Sequence, residues 1–188
     1  KTLKYGINLN EKVKNKKYIP IVGREKEINE LIEALCKKDK NNAILVGEAG
    51  VGKTAIVEAL AYKINKNEVP KELHNKKIIE ISMTSVISGT RYRGEFEEKM
   101  EKIINEFKEN DDYILFIDEI HTMVGTGGSD GAIDASNILK PSLARNEIKC
   151  IGATTTTEYK KSFLKDKALN RRFQIINIEE PSETETLN

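Results

Sequence analysis

The chain has 188 residues, with 31 basic and 30 acidic side chains for a formal net charge of +1, and is 38% hydrophobic and 32% charged. That composition fits one globular domain with a sizeable core, and the near-cancelled charge leaves no electrostatic footprint for nucleic acid or an anionic membrane. No apolar run approaches the ~20 residues of a membrane-spanning helix, and two cysteines far apart in sequence, Cys36 and Cys150, make neither a disulfide framework nor a metal site.

Both thiols are expected to be reduced and buried, as in a cytosol-like compartment. The first residue is Lys1 and the last seven, Ser182 to Asn188, form a polar tail, so the chain is expected to be a piece of a longer protein. Residues 1–19 are polar and lysine-rich and read as a linker. Their run Lys12-Val13-Lys14-Asn15-Lys16-Lys17 reads as solvated chain, not a nucleic-acid patch. A helix opens near Glu25, with Ile28, Leu31, Ile32 and Leu35 at i, i+3, i+4 and i+7. Ala43 to Val46 is a short continuous apolar run, the pattern of a strand buried on both faces. A glycine-rich turn follows it, then a helix from about Lys53 to Lys63.

Lys77 to Ile81 reads as a second strand. Glu95 to Phe107 is an amphipathic helix with Phe96, Met100, Ile103, Ile104 and Phe107 on one stripe. Tyr113 to Ile117 is a third strand, Val124 to Gly131 a Gly/Ser/Thr-rich loop, and Ala132 to Leu143 a helix. Ile148 to Gly152 is a fourth strand, residues from about Glu158 to Arg171 look helical, and Gln174 to Ile178 close with a fifth. Strands alternating with helices predict a parallel sheet covered on both faces, a three-layer αβα arrangement.

Gly47-Glu48-Ala49-Gly50-Val51-Gly52-Lys53-Thr54 matches G-x-x-x-x-G-K-[ST] between a predicted buried strand and a predicted helix. Glycines let successive N–H groups turn inward at phosphate oxygens, and the helix adds its positive N-terminal end. Lys53 is expected to reach the β- and γ-phosphates, and the Thr54 hydroxyl to hold Mg²⁺. The strand Ile114-Leu115-Phe116-Ile117 ends in Asp118-Glu119. Strand geometry sends the two carboxylates to opposite sides. Asp118 is expected to hold the metal and its waters, and Glu119 to act as base or orienter for the attacking water; the same pair could cap a helix instead. Thr154-Thr155 could bond the water or the γ-phosphate, or simply start a turn. Arg171-Arg172 could supply a cation, or serve a helix end.

In order along the chain, Gly47 to Thr54, Leu115 to Gly125, Gly152 to Thr155 and Lys165 to Gln174 resemble an AAA+ ATPase, a P-loop NTPase. Gly23-Arg24-Glu25-Lys26-Glu27, Gly89 to Glu97, Ile117 to Thr122 and Asp134 to Pro141 resemble the large subdomain of the first nucleotide-binding module of Clp ATPases, with ClpA-like and ClpC-like details; the disaggregase ClpB shares most of these motifs. The resemblance implies a five-stranded parallel sheet over residues 20–181, and a truncated start of the small helical subdomain at 182–188. It also implies ATP or ADP with Mg²⁺ as ligands. Val22 and Gly23 would contact adenine, with Glu48, Ala49, Gly50, Val51, Gly52, Lys53 and Thr54 around the phosphates. Thr155 would be the sensor, and Arg171 and Arg172 would enter a neighbouring subunit's site. Arg91, Tyr92, Arg93 and Gly94 would form a pore loop that grips polypeptide, with a second pore-facing loop at Val124 to Gly131. His121 is expected to be structural. The implied protein is a homo-hexameric unfoldase of the cytoplasm, or alternatively of an organelle matrix or stroma, acting on unfolded proteins, with a ClpP-type protease as partner. By itself the chain is expected to be largely monomeric and weakly active. A nucleic-acid motor and a nucleotide switch without hydrolysis are the competing classes.

Overall fold

The computed structural model describes residues 6–14, 24–38, 41–49, 52–88, 91–123, 136–145, 147–165 and 167–179. Six strands form the middle layer: β1 (Gly6–Asn8), β2 (Asn42–Val46), β3 (Lys77–Ile81), β4 (Tyr113–Ile117), β5 (Lys149–Thr154) and β6 (Phe173–Asn177). Their spatial order is β1-β3-β4-β5-β2-β6. The five strands read from the sequence pair in parallel. Successive side chains leave a strand on opposite faces, so each apolar run feeds two cores. Ala43, Leu45, Ile114, Phe116, Ile151 and Ala153 enter one apolar cluster, and Ile44, Val46, Leu115, Ile117 and Cys150 enter the other.

Helices cover both faces. On the first, α1 (Leu9–Lys12), α2 (Glu25–Cys36) and α3 (Lys53–Asn65) contribute Leu9, Leu31, Leu35, Ile56 and Leu60. On the second, α4 (Met83–Ile87), α5 (Arg93–Glu109) and α6 (Ser136–Ala144) contribute Val86, Phe96, Met100, Phe107 and Leu139. The stripe predicted for α5 is the face it buries.

Three expectations need correction. The sheet has a sixth strand, because β1 pairs antiparallel with β3, Gly6 opposite Ile81 and Asn8 opposite Ile79. Residues 6–14, assigned to the linker, therefore belong to the fold: Leu9 and Val13 are fully buried. The predicted helix 158–171 is broken into α7 (Thr156–Glu158), a π-helical turn at Tyr159–Phe163 and α8 (Lys167–Asn170). Leu164 N donates to Tyr159 O at 2.8 Å, and the Tyr159 hydroxyl donates to Asn170 Oδ1 at 2.7 Å, drawing the two ends of the broken helix together. The expectation of two buried thiols holds for Cys150 but not for Cys36, which is only partly covered; both are free thiols.

Asn10 clasps the N-terminal segment to the sheet. Its Nδ2 donates to Lys76 O (2.8 Å) and to Asn65 Oδ1 (3.3 Å), while its Oδ1 accepts from the buried Ile78 N (2.9 Å). Asn65 Nδ2 returns a bond to Asn10 O at 2.9 Å. Replacing Asn10 by Ala strands an N–H of β3 away from water, a cost of about 1–3 kcal/mol. Urea denaturation is expected to show Asn10→Ala unfolding at lower denaturant; an unchanged midpoint would mean that the clasp does not anchor the segment.

Candidate nucleotide site

Strand β2 delivers the glycine-rich turn to the carboxyl edge of the sheet, where open α/β sheets bind ligands. Gly47 N donates to Thr154 O at 3.1 Å, carrying the pairing of β2 and β5 one residue past the strand. Gly52 caps α3 with φ of 92°, a left-handed conformation that favours glycine. Lys53 opens the helix, and its ammonium donates to Gly47 O (2.8 Å) and Glu48 O (3.0 Å). Burial pulls the Lys53 pKa down, and the carboxylates of Asp118 and Glu48 act against that. Glu48 and Ala49 are exposed beside it, and Thr54 follows in the first turn of α3, half-buried. Val22, Gly23, Gly50 and Val51 lie outside the described residues.

Strand β4 delivers the carboxylates to the same edge. Asp118 Oδ1 accepts from Glu119 N at 2.9 Å. Glu119 is exposed and takes φ of 51°, a left-handed conformation uncommon outside glycine. Thr122 fastens this turn through two donors to Glu119 O, its N–H at 2.9 Å and its hydroxyl at 2.8 Å. A 3-10 turn at Ile120–Met123 then buries Ile120 and Met123. The strand therefore stops at Ile117 for a local reason: the Asp118 side chain and the left-handed Glu119 turn the backbone out of the sheet.

Ile120 sits against β5. A Cβ placed on Gly152 would lie 2.6 Å from Ile120 Cδ1 and 3.1 Å from its Cγ2, so only glycine admits this contact without a shift. His121 makes a second tie: its Nδ1 is 2.8 Å from the Thr154 hydroxyl, and its Nε2 is 3.5 Å from Glu158 Oε2. The imidazole thus joins the acidic turn to β5 and α7, the structural part expected of it. The Thr155 hydroxyl accepts from Glu158 N at 3.1 Å as the N-cap of α7. The turn-starting reading of Thr155 describes what its oxygen does here, and among the described residues its hydroxyl proton has no acceptor. Residue reasoning passed over Gly152, Thr154 and Glu158 as ties of this edge. A glycine inside an apolar strand, signalling close approach, was the one cue present.

Arg171 and Arg172 are both exposed, in the turn between α8 and β6. They belong to the opposite, amino edge of the sheet. Asn42, the first residue of β2, donates from Nδ2 to Arg172 O at 3.1 Å and accepts from Cys150 N at 2.8 Å. Five strand rises, about 16 Å, separate that edge from the start of the phosphate turn at Gly47. The arginines therefore do not join the site formed by their own chain. Arg91 is exposed, Tyr92 is 68% exposed at the N-cap of α5, and the Tyr92 ring lies over Gly94. Arg91 N donates to Glu95 Oε2 at 3.1 Å, which fixes the backbone just before the tyrosine. The side chain of Arg93, and the second loop at Val124 to Gly131, lie outside the described residues.

Lys53 and Thr54 at the start of α3, and Asp118 and Glu119 just after β4, fit a magnesium nucleotide. Lys53 donates to loop carbonyls, positions from which it can turn to phosphate oxygens. Magnesium commonly takes one or two protein oxygens plus phosphates and waters, which Thr54 and Asp118 can supply. The description "ATPase family associated with various cellular activities (AAA)" matches residues 43–180. The chain belongs to the AAA family of ATPases. Within that family it is 54% identical over 184 residues to the chaperone protein ClpB of Aquifex aeolicus, covering 98% of this chain and 18% of that protein. It is 56% identical over 168 residues to the ATP-binding subunit ClpC of the Clp protease from Staphylococcus epidermidis, covering 89% of this chain and 21% of that protein. The Hsp104–ADP complex of S. cerevisiae superposes with a TM-score of 0.87 at 42% identity, covering 98% of this chain and 31% of that one. A closed-state reconstruction of Hsp104 with ATPγS and FITC casein gives 0.86. The AAA chain thus spans about a fifth of these curated relatives. Among the described residues, no helix is long and apolar enough to cross a membrane.

Gly152→Ala is expected to cost about 1–3 kcal/mol by overpacking against Ile120, and to displace the acidic turn. Chemical denaturation checks the stability, and Ile120→Val in the same chain should recover part of the loss. Equal stability of Gly152→Ala and the parent would contradict the wedge.

Proposed function

We propose that this AAA domain binds and hydrolyses Mg-ATP as one subunit of a hexameric, cytoplasmic protein-remodelling ring, and that hydrolysis drives polypeptide through the ring's pore. The observation that carries the reading is the convergence of Lys53 and Thr54 with Asp118 and Glu119 at one edge of the sheet, with Lys53 already feeling the charge of Asp118. Lys53 turns from the carbonyls of Gly47 and Glu48 to the phosphate oxygens, and the N–H groups at the start of α3 bond the same anion. Magnesium, when bound through Thr54 and Asp118, neutralises phosphate charge. Glu119 orients the attacking water and takes its proton. Thr155 donates its hydroxyl proton to the water or the γ-phosphate.

Arg171 and Arg172 act on the neighbouring subunit, in keeping with their place at the far edge of their own sheet. An arginine finger of this kind is worth about three to five orders of magnitude in rate, so turnover follows assembly. Tyr92 grips the translocating chain: an exposed ring offers large apolar area with few rotamers to freeze. The similarity to ClpB, ClpC and casein-bound Hsp104 supports polypeptide as the substrate. A ClpP-type protease as partner follows from the ClpC-like side of this similarity, and disaggregation without a protease from the ClpB-like side.

In the full-length protein, Lys53→Ala is expected to weaken ATP binding by about a hundredfold, through loss of a charge-assisted phosphate contact. Glu119→Gln should keep binding while slowing hydrolysis by about two to four orders of magnitude. Calorimetry and phosphate release separate the two, and normal turnover by Glu119→Gln would remove the water-activating role. Tyr92→Ala should hydrolyse ATP normally yet fail to unfold a fluorescent substrate; undiminished unfolding would take the loop out of the mechanism.

A further inference from the structure

Strand alternation brings a third carboxylate up to the metal-holding end of β4. Glu80 on β3 is in register with Phe116 on β4. It follows Ile78 by two residues and so shares the face that α1 and α3 cover, where Ile78, Ile114 and Phe116 are buried. Asp118 follows directly on Ile117, the last residue of β4, two positions beyond Phe116. Strand spacing and one rise put the Glu80 backbone roughly 6 Å from Ile117, the residue just before Asp118. Glu80 is half-buried, and among the described residues it has no ion-pair partner.

Burial first, and then the charge of Asp118, push the Glu80 carboxyl up; Lys12 pulls it down and Glu58 adds to the rise. Lys12 comes from α1, the segment fastened by Asn10. Its ammonium is 2.9 Å from Glu58 Oε2. The hydrogen bond and charge of Glu58 raise the Lys12 pKa, burial opposes them, and Glu80 adds a further rise. Glu58 lies four residues after Thr54, one turn further along α3 on the same side. Lys53 and Asp118, Asp118 and Glu80, and Glu80 and Lys12 thus feel each other's charge, while Lys12 and Glu58 are in direct contact.

We infer that Glu80 and Lys12 are opposed positioning residues of the metal site, Glu80 adding to the negative charge felt at Asp118 and Lys12, on the N-terminal segment, subtracting from it. A divalent cation held by Thr54 and Asp118 responds to every charge nearby; Glu80 is half-buried and screened less than in water, while Lys12 is exposed and its field is screened more. Glu80 tightens the cation and Lys12 loosens it. Docking of the N-terminal segment thereby sets the magnesium requirement of the site. The inference rests on the ATPase reading.

The test uses the full-length protein with Lys12→Gln, Glu80→Gln and both together. The first readout is the magnesium concentration that half-saturates binding of a fluorescent ATP analogue. Lys12→Gln is expected to lower this midpoint about threefold, Glu80→Gln to raise it by a similar factor, and the pair to lie near the parent. The second readout is the melting temperature without nucleotide or metal, which should fall in Lys12→Gln and rise in Glu80→Gln. A role confined to packing would move both variants the same way, and that result, or unmoved midpoints beside a parent that binds normally, overturns the inference. A parent that takes up no nucleotide would instead sink the ATPase reading and the metal half of the inference with it. In that case the two melting temperatures still decide whether the charges are coupled.

Discussion

The bond from Gly47 N to Thr154 O extends the pairing of β2 and β5 beyond the last strand residue, and from it the rest of the nucleotide edge is aligned. It brings the phosphate turn to the end of β5. The side chain of Thr154 then reaches His121, His121 approaches Glu158, and Gly152 receives Ile120. Three strand ends and one helix start are thus referenced to each other through short contacts. A slip of one residue between β2 and β5 would send every side chain of β2 to the wrong face, so the two apolar clusters hold the register that the site needs.

The edge is also where the backbone leaves its comfortable conformations. Gly52 and Glu119 take positive φ on facing pieces of chain, one before the first helical turn and one after the acidic strand. For Gly52 the conformation costs little. For Glu119 it costs energy that the surrounding bonds from Thr122 and Asp118 must offset. Lys53 adds a related feature: two carbonyls occupy its ammonium, so an arriving phosphate exchanges hydrogen bonds rather than meeting a bare charge.

The five parallel strands, the phosphate turn and the acidic pair were legible because each is written in consecutive residues: an apolar run, a glycine spacing, two carboxylates after a strand. β1 was not, since Gly6-Ile7-Asn8 is three residues with one apolar side chain and draws its pairing from the edge of β3. Lys12 looked like solvated linker because its partner, Glu58, is 46 positions away and nothing local announces it. The broken helix after Glu158 kept a helical composition, and the π-turn bond from Leu164 N to Tyr159 O and the link from Tyr159 to Asn170 accompany the break. Asn42, one residue before the predicted strand at Ala43, carries no local signal of its role, although its side chain ties two elements that flank β2. Each of these misses turns on a polar contact between residues at least 11 positions apart, which periodicity does not encode.

Asn42 gives β2 a mechanical character. At its amino end one side chain holds both the β5 backbone at Cys150 and the turn that carries Arg172. At its carboxyl end Gly47 is bonded to Thr154, and the phosphate turn begins. Between these ends Ala43 to Val46 pair with a strand on either side, and an extended segment held this way has little give along its length. A tug on the arginine turn therefore finds no slack to absorb it, and the strand must either resist the pull or deliver it, rod-like, to the other rim.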